Sequence, residues 1–181
     1  MIIQADNQVR LGLINESYAL SIFEMVNQNR AYLRQWLSFV DKMETVVFAE
    51  NFVQGTMQCN QAGMEYAFVI MQENKAVGRI GVYKIDRQNN IVEIGYWLIE
   101  SAQGKGIITI ACKAMIRICF EDILLNRIEI KCGTDNNKSQ AIPINLGFTP
   151  EGTIMQGELL HDKYVDLYLY SLLLSEYKLE K

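Results

Sequence analysis

The stretch that most constrains this chain runs from Glu93 to Phe120, EIGYWLIESAQGKGIITIACKAMIRICF. Ile91–Ile99 is a mostly apolar run of strand character that ends at Glu100. Gln103-Gly104-Lys105-Gly106 follows, and then a run to Glu121 apolar enough for a buried helix. A strand that turns through glycines into a helix leaves the first backbone N–H groups of the helix without carbonyl partners. Together with the helix macrodipole these groups form an anion site, most commonly for phosphate. Gly104 and Gly106 permit close approach of a ligand to the backbone and positive φ where it is needed. No acidic residue lies between Glu100 and Glu121, and Lys105 adds positive charge. The spacing by itself fits either a phosphate site or a tight turn without a ligand, because two glycines carry little information. It does exclude a P-loop, which needs Gly-Lys-Ser/Thr after a glycine and four residues. A dinucleotide fingerprint is also excluded, since the third glycine is missing and the motif sits past mid-chain.

The 181 residues fit one domain spanning 1–181, since domains commonly run ~100–200 residues. Half of the residues are hydrophobic and only two are proline, enough for a sizeable core and unlike a disordered chain. A net charge of −4 and a pI near 5.1 speak against a nucleic-acid or anionic-membrane binder and tolerate a cationic partner better. Cys59, Cys112, Cys119 and Cys132 show no metal-ligand spacing, so buried free thiols and no metal are expected. The N-terminal residues lack the pattern of a signal peptide, and no apolar run reaches ~18 residues. A cytoplasmic, reduced protein is the expectation.

In chain order, Gln8–Ile14 alternates as a strand, and Asn15-Glu16-Ser17 offers caps for a helix over 18–29. Helices are expected over 30–39 and 44–60. The pattern then changes to strands at 64–72, 75–86 and 91–99, joined by short polar turns, which implies an antiparallel meander. A helix over 104–121 has one narrow polar stripe, so most of its surface must be covered. Arg127–Cys132 follows as a strand, parallel to 91–99 if the helix is its crossover. A polar loop at 134–138, a short helix at 139–146 containing Pro143, and a closing hairpin of 148–156 with 164–174 complete the chain. The expected fold class is α/β (α+β), a mixed and mostly antiparallel central sheet with one parallel strand pair, flanked by helices.

These residues carry a resemblance. Gln103-Gly104-Lys105-Gly106-Ile107-Ile108 resembles the Q/R-x-x-G-x-G/A pyrophosphate loop of GNAT acetyltransferases, with Ile108 departing from the final Gly/Ala. Asn136-x-x-Ser139 followed by Leu146-Gly147-Phe148 resembles the family's second landmark. The phrases EIGYW, GKGI and NLGF…EG look most like the ribosomal-protein N-terminal acetyltransferase branch. The resemblance implies acetyl-CoA as donor, without a metal. Its pyrophosphate would lie on the backbone of Gln103, Gly104, Lys105, Gly106, Ile107 and Ile108, with Asn136 also on the cofactor. It further implies that the strand near Trp97, Leu98 and Ile99 splays from its parallel neighbour and pairs with pantetheine there.

Many family members place a tyrosine four residues before Gly-Phe as the acid for the departing thiolate; here that position is Pro143. In the ribosomal branch a serine is proposed instead, matched by Ser139, and a glutamate base, matched by Glu158. Ser139 is equally compatible with capping the short helix, and Glu158 with a solvated hairpin carboxylate. His161, the only histidine, is a rival base on the same expected turn, and Asp166 is expected to be a structural partner. Tyr32 and Trp36 are core residues or the lining of an acceptor cleft. The implied function is N-acetylation of an amine, foremost the N-terminal α-amine of a ribosomal protein. A small amine such as a polyamine or aminoglycoside, or a non-catalytic acyl-CoA-binding module, are the alternatives. No nucleic-acid or membrane partner is expected, and a homo-oligomer is compatible with the chain.

Overall fold

The computed structural model describes residues 1–179. Its centre is an eight-stranded sheet of β1 (Ile2–Gln4), β2 (Val9–Leu13), β3 (Tyr66–Gln72), β4 (Lys75–Asp86), β5 (Ile91–Leu98), β6 (Arg127–Gly133), β7 (Thr149–Leu160) and β8 (Lys163–Leu173). The spatial order is β1-β2-β3-β4-β5-β6-β8-β7, and only β5 and β6 run parallel. This is the mixed sheet with one parallel pair that the alternation of the sequence implies.

Helices cover both faces. Between β2 and β3 lie α1 (Ala19–Gln28), α2 (Arg30–Leu33) and α3 (Val46–Gln61), with Ile22, Val26, Leu33, Ala49 and Val53 packed on Ala67 and Val69. The crossover helix α4 (Ile107–Arg117) continues as a π-helical turn, Ile118–Asp122, and packs Ala111, Cys112, Met115 and Phe120 on Ile80, Val82, Ile94 and Ile128. Its exposed residues include Lys113 and Arg117, the narrow polar stripe read from the sequence. α5 (Asn137–Asn145) follows β6, and α6 (Leu174–Leu179) follows β8. No helix among the described residues is long and apolar enough to cross a membrane.

Several expectations change. β1 is additional to the expected strands, since three residues carry too little periodicity to read. The helix expected over 30–39 breaks after Leu33 and resumes as a 3-10 turn at Ser38–Asp41. The Arg30 guanidinium bonds the Val40 and Met43 carbonyls across this break, replacing helical partners with side-chain ones. α4 starts at Ile107 rather than 104, because Gly106 is a left-handed N-cap at φ 71°. The strand expected at 148–156 extends to Leu160, so the closing turn is only His161-Asp162.

Candidate active site

The ladder between β5 and β6 pairs Ile91 with Arg127, Val92 with Ile128 and Glu93 with Glu129, and then stops. Beyond it the strands separate, and β5 from Ile94 to Leu98 and β6 from Ile130 to Gly133 become opposite walls of a cleft of about 930 Å³. The expected splay is therefore present.

One end of the cleft is the turn into α4. The first rung of that helix is the Ile110 N–H bonded to Gly106 O at 3.0 Å. The N–H groups of Ile107, Ile108 and Thr109 thus precede any intrahelical bond. Gly104 and Gly106 sit at φ 73° and 71°, and a Cβ at either would meet no atom within 4 Å. An open cradle of amide N–H groups at a helix start fits a pyrophosphate. Gln103 is held from both ends, its Nε2 donating to the Tyr32 hydroxyl and its Oε1 accepting from Lys138 Nζ at 2.9 Å. Gln103, Gly104, Gly106, Ile107, Ile108, Trp97, Leu98 and Asn136 all line the cleft. Lys105 and Ile99 are not among its lining residues; the Ile99 N–H bonds Val77 O at 2.8 Å and stays in the sheet.

The middle of the cleft brings Ser139 to Cys132 and Tyr96. Ser139 does not cap α5: Asn136 does, its Oδ1 accepting from the Ser139 N–H at 3.1 Å. That leaves the Ser139 hydroxyl free to donate to Cys132 Sγ at 3.3 Å. Pro143 explains the third member. A helical residue at 143 would donate its N–H to the Ser139 carbonyl, and proline has none. The carbonyl accepts instead from the Tyr96 hydroxyl at 3.0 Å. Burial, followed by the neighbouring Cys132 and Cys112 thiols, drives the Tyr96 phenol far above its ordinary pKa. Burial likewise raises the Cys132 thiol, against the opposing pull of Ser139 and Tyr96.

The other end is built from side chains. Glu158 lines the cleft from β7. Three residues, Met155 to Gly157, bulge out where β8 offers only Asp166, and the Asp166 carboxylate accepts from the Gln156 N–H at 2.7 Å. Such a bulge bends the strand and re-aims the side chains beyond it, and Asp166 has the structural role expected for it. Burial and then the charge of Glu93 raise the Glu158 carboxyl above the ordinary range, against the opposing charge of Lys84. Glu93 itself is pushed up by burial, but bonds from Lys131 at 2.8 Å and Lys84 at 3.0 Å prevail and hold it low. His161, the rival base, is not a lining residue. Its Nε2 lies 2.8 Å from Arg34 O and its Nδ1 3.0 Å from Asp41, pinning the hairpin turn to the helical layer.

Tyr32 and Trp36 both line the cleft, with Tyr32 placed against the glycine turn. Arg79, Tyr83, Tyr96, Lys131 and Cys132 line it too, and sequence reasoning passed over them. Arg79 alone left a trace there, as a single charge inside the apolar run AVGRIGV. Among the described residues no cluster of three His, Cys, Asp or Glu is disposed to hold a metal ion.

Comparison with known proteins fits this geometry. Residues 9–149 match the acetyltransferase (GNAT) domain. A ribosomal-protein-serine acetyltransferase of Escherichia coli is 32% identical over 169 residues, 93% of this chain and 94% of that protein. The ribosomal L7/L12 alpha-N-protein acetyltransferase RimL, in complex with coenzyme A, has the same fold at TM-score 0.92 and 29% identity, covering 97% of this chain and 99% of that one. A microcin C7 self-immunity acetyltransferase in complex with acetyl-CoA and AMP gives TM-score 0.91 at 29% identity, over 94% of this chain and 95% of that one.

Proposed function

Since this chain belongs to the GNAT acetyltransferases and is an acetyl-CoA-dependent N-acetyltransferase, we propose that its acceptor is the N-terminal α-amine of a ribosomal protein. The observation that carries this reading is Glu158, a cleft carboxylate with raised pKa at the end opposite the glycine turn. The names of the ribosomal-protein relatives support it.

Acetyl-CoA, held by the amides of 103–108, supplies an activated acyl thioester. Glu158 takes the proton that the acceptor amine loses as its nitrogen forms the new bond to the acyl carbon. The Ser139 hydroxyl donates a proton to the sulfur as its bond to that carbon breaks, and solvent then takes the proton from Glu158 and returns one to Ser139. The freed edge of β5, between Ile94 and Leu98, offers backbone N–H groups to the carbonyl oxygen. An α-amine has a pKa near ~7.8 and a lysine side chain near ~10.4, so at pH 7 roughly one α-amine in seven is neutral against about one lysine in 2,500. A single carboxylate is then base enough for the first and poorly matched to the second. A polyamine acceptor is poorly matched to a cleft lined by three cations, Arg79, Lys131 and Lys138, against two carboxylates, Glu100 and Glu158. We place the enzyme in the cytoplasm, where its free cysteines stay reduced and ribosomal proteins are found.

Mass spectrometry of a peptide with a free N-terminus and an internal lysine, reacted with acetyl-CoA, tests the proposal. Acetyl on the N-terminal nitrogen is the expected result; acetyl on the lysine alone overturns it.

A further inference from the structure

Among the described residues Arg79 is the one buried arginine, 8% exposed, on β4 opposite Trp97 of β5 and Val69 of β3. Its neighbours on that face are aromatic: the guanidinium lies 4.7 Å from the centre of the Phe52 ring and 5.6 Å from that of Tyr83. A guanidinium carries five N–H donors, and a buried one requires acceptors for them. Within the described residues it finds few. Nη2 reaches Thr56 Oγ1 at 3.4 Å and Glu65 only at 3.9 Å, while Nε has no partner and no bond is made by Nη1. Burial raises the Glu65 carboxyl, and the nearby Arg79 charge only partly opposes this, so the pair is a weak one. Arg79 nevertheless faces the cleft that Glu158 also lines.

An under-coordinated cation, nine-tenths buried and lining the same cleft as Glu158, is a receptor for an oxygen anion. Arginine suits a carboxylate above other groups, since its planar fork matches the two oxygens. We propose that Arg79 selects acceptors in which an acidic side chain follows the amine within the first few residues of the polypeptide. The substrate then meets complementary charge twice, its amine at Glu158 and its carboxylate at Arg79. This local preference runs against the chain's overall charge of −4, which by itself favours cationic partners. The inference rests on the α-amine reading above and adds to it which N-termini are used.

The test uses peptides that share one sequence except for glutamate or glutamine at position two, three or four. Each extended residue advances the chain by ~3.3–3.6 Å, so the series scans roughly 7 Å of cleft. At one position the glutamate peptide is expected to show a kcat/KM about 10- to 100-fold above its glutamine twin. Arg79→Met is expected to abolish that difference, the loss falling on the glutamate peptide far more than on its glutamine twin. Arg79→Lys, which keeps the charge without the fork, is expected to retain only part of it. Calorimetry of the same peptides with the protein saturated by coenzyme A reads the preference without turnover, and circular dichroism checks that the variants fold. Equal binding of glutamate and glutamine peptides at all three positions overturns the role of Arg79. So does a preference that survives in a folded Arg79→Met, or a loss in that variant that falls equally on both peptides. Acetylation of lysine alone in the preceding experiment defeats instead the α-amine reading.

Discussion

The two ends of the cleft are made in opposite ways. The donor end is one continuous segment, Gln103 to Ile108, and what it presents is backbone: a glycine turn at positive φ and the unsatisfied amides of a helix start. The rest of the cleft is lined from β4, β6 and β7, and what these strands present is side chains, Arg79, Tyr83, Lys131 and Glu158. Backbone amides serve any ligand that carries the same pyrophosphate, whereas side chains from three strands can be changed one at a time. A fold divided in this way keeps one donor and varies its acceptor.

The contrast breaks most sharply at Glu158. Replacing it with glutamine is expected to lower kcat/KM for an N-terminal peptide by about 10²- to 10⁴-fold near neutral pH, with partial recovery above the amine pKa of ~7.8. The acid limb of the wild-type profile should lie above the ordinary glutamate value of ~4.3, because burial and Glu93 favour the protonated carboxyl. Glu93→Gln removes the second influence, so the limb should move to lower pH; a move upward would exclude Glu158 as the base. Rates across a pH series give both results.

Ser139 sits at the junction of the two ends. Ser139→Ala should reduce kcat by roughly 10²-fold with an unchanged melting temperature, since the cap of α5 is Asn136. Asn136→Ala should instead cost about 1 kcal/mol of stability. Melting and kcat measured on the pair separate proton donor from cap, and a folded Ser139→Ala with wild-type kcat would remove the donor.

On the donor side the effect should be confined to affinity. Gly104→Asp places a carboxylate in the amide cradle and should weaken acetyl-CoA binding by about tenfold. Gly104→Ala adds only left-handed strain of about 1–2 kcal/mol. Calorimetry in which the two variants bind alike would leave the anion site without support.

The last effect is read on stability. Tyr96→Phe strands the Ser139 carbonyl and should cost about 1–3 kcal/mol. Adding Pro143→Ala restores an N–H to that carbonyl, so part of the loss should return in the double variant. Denaturant titration of the four proteins checks it, and strictly additive losses would break the link.

The same asymmetry governs what was readable in advance. The glycine turn, its acid-free helix and the order of strands could be read from consecutive residues, because backbone dihedrals, helix starts and period-2 alternation are local properties. Glu158 was identified through the family resemblance, but its fit to the cleft depends on a bulge held by Asp166, bonded to a backbone N–H ten residues earlier in the chain. Tyr96 meets Ser139 across 43 positions, a bond that Pro143 calls for only once α5 lies against β5. Ser139 is able to cap its own helix as far as the sequence goes, and only the Asn136 side chain takes that place from it. Arg79 reads as one charge in an apolar strand, and its lack of partners emerges only when Phe52, Thr56 and Glu65 are packed around it. The amino-acid sequence alone determined the donor turn and the run of strands and helices, since these rest on residues adjacent in the chain, while the class of chemistry came through the family resemblance. Tertiary structure decided which side chains share the acceptor end and which polar groups stay unpaired, because hydrogen bonds and burial between distant residues exist only after the sheet has brought them together.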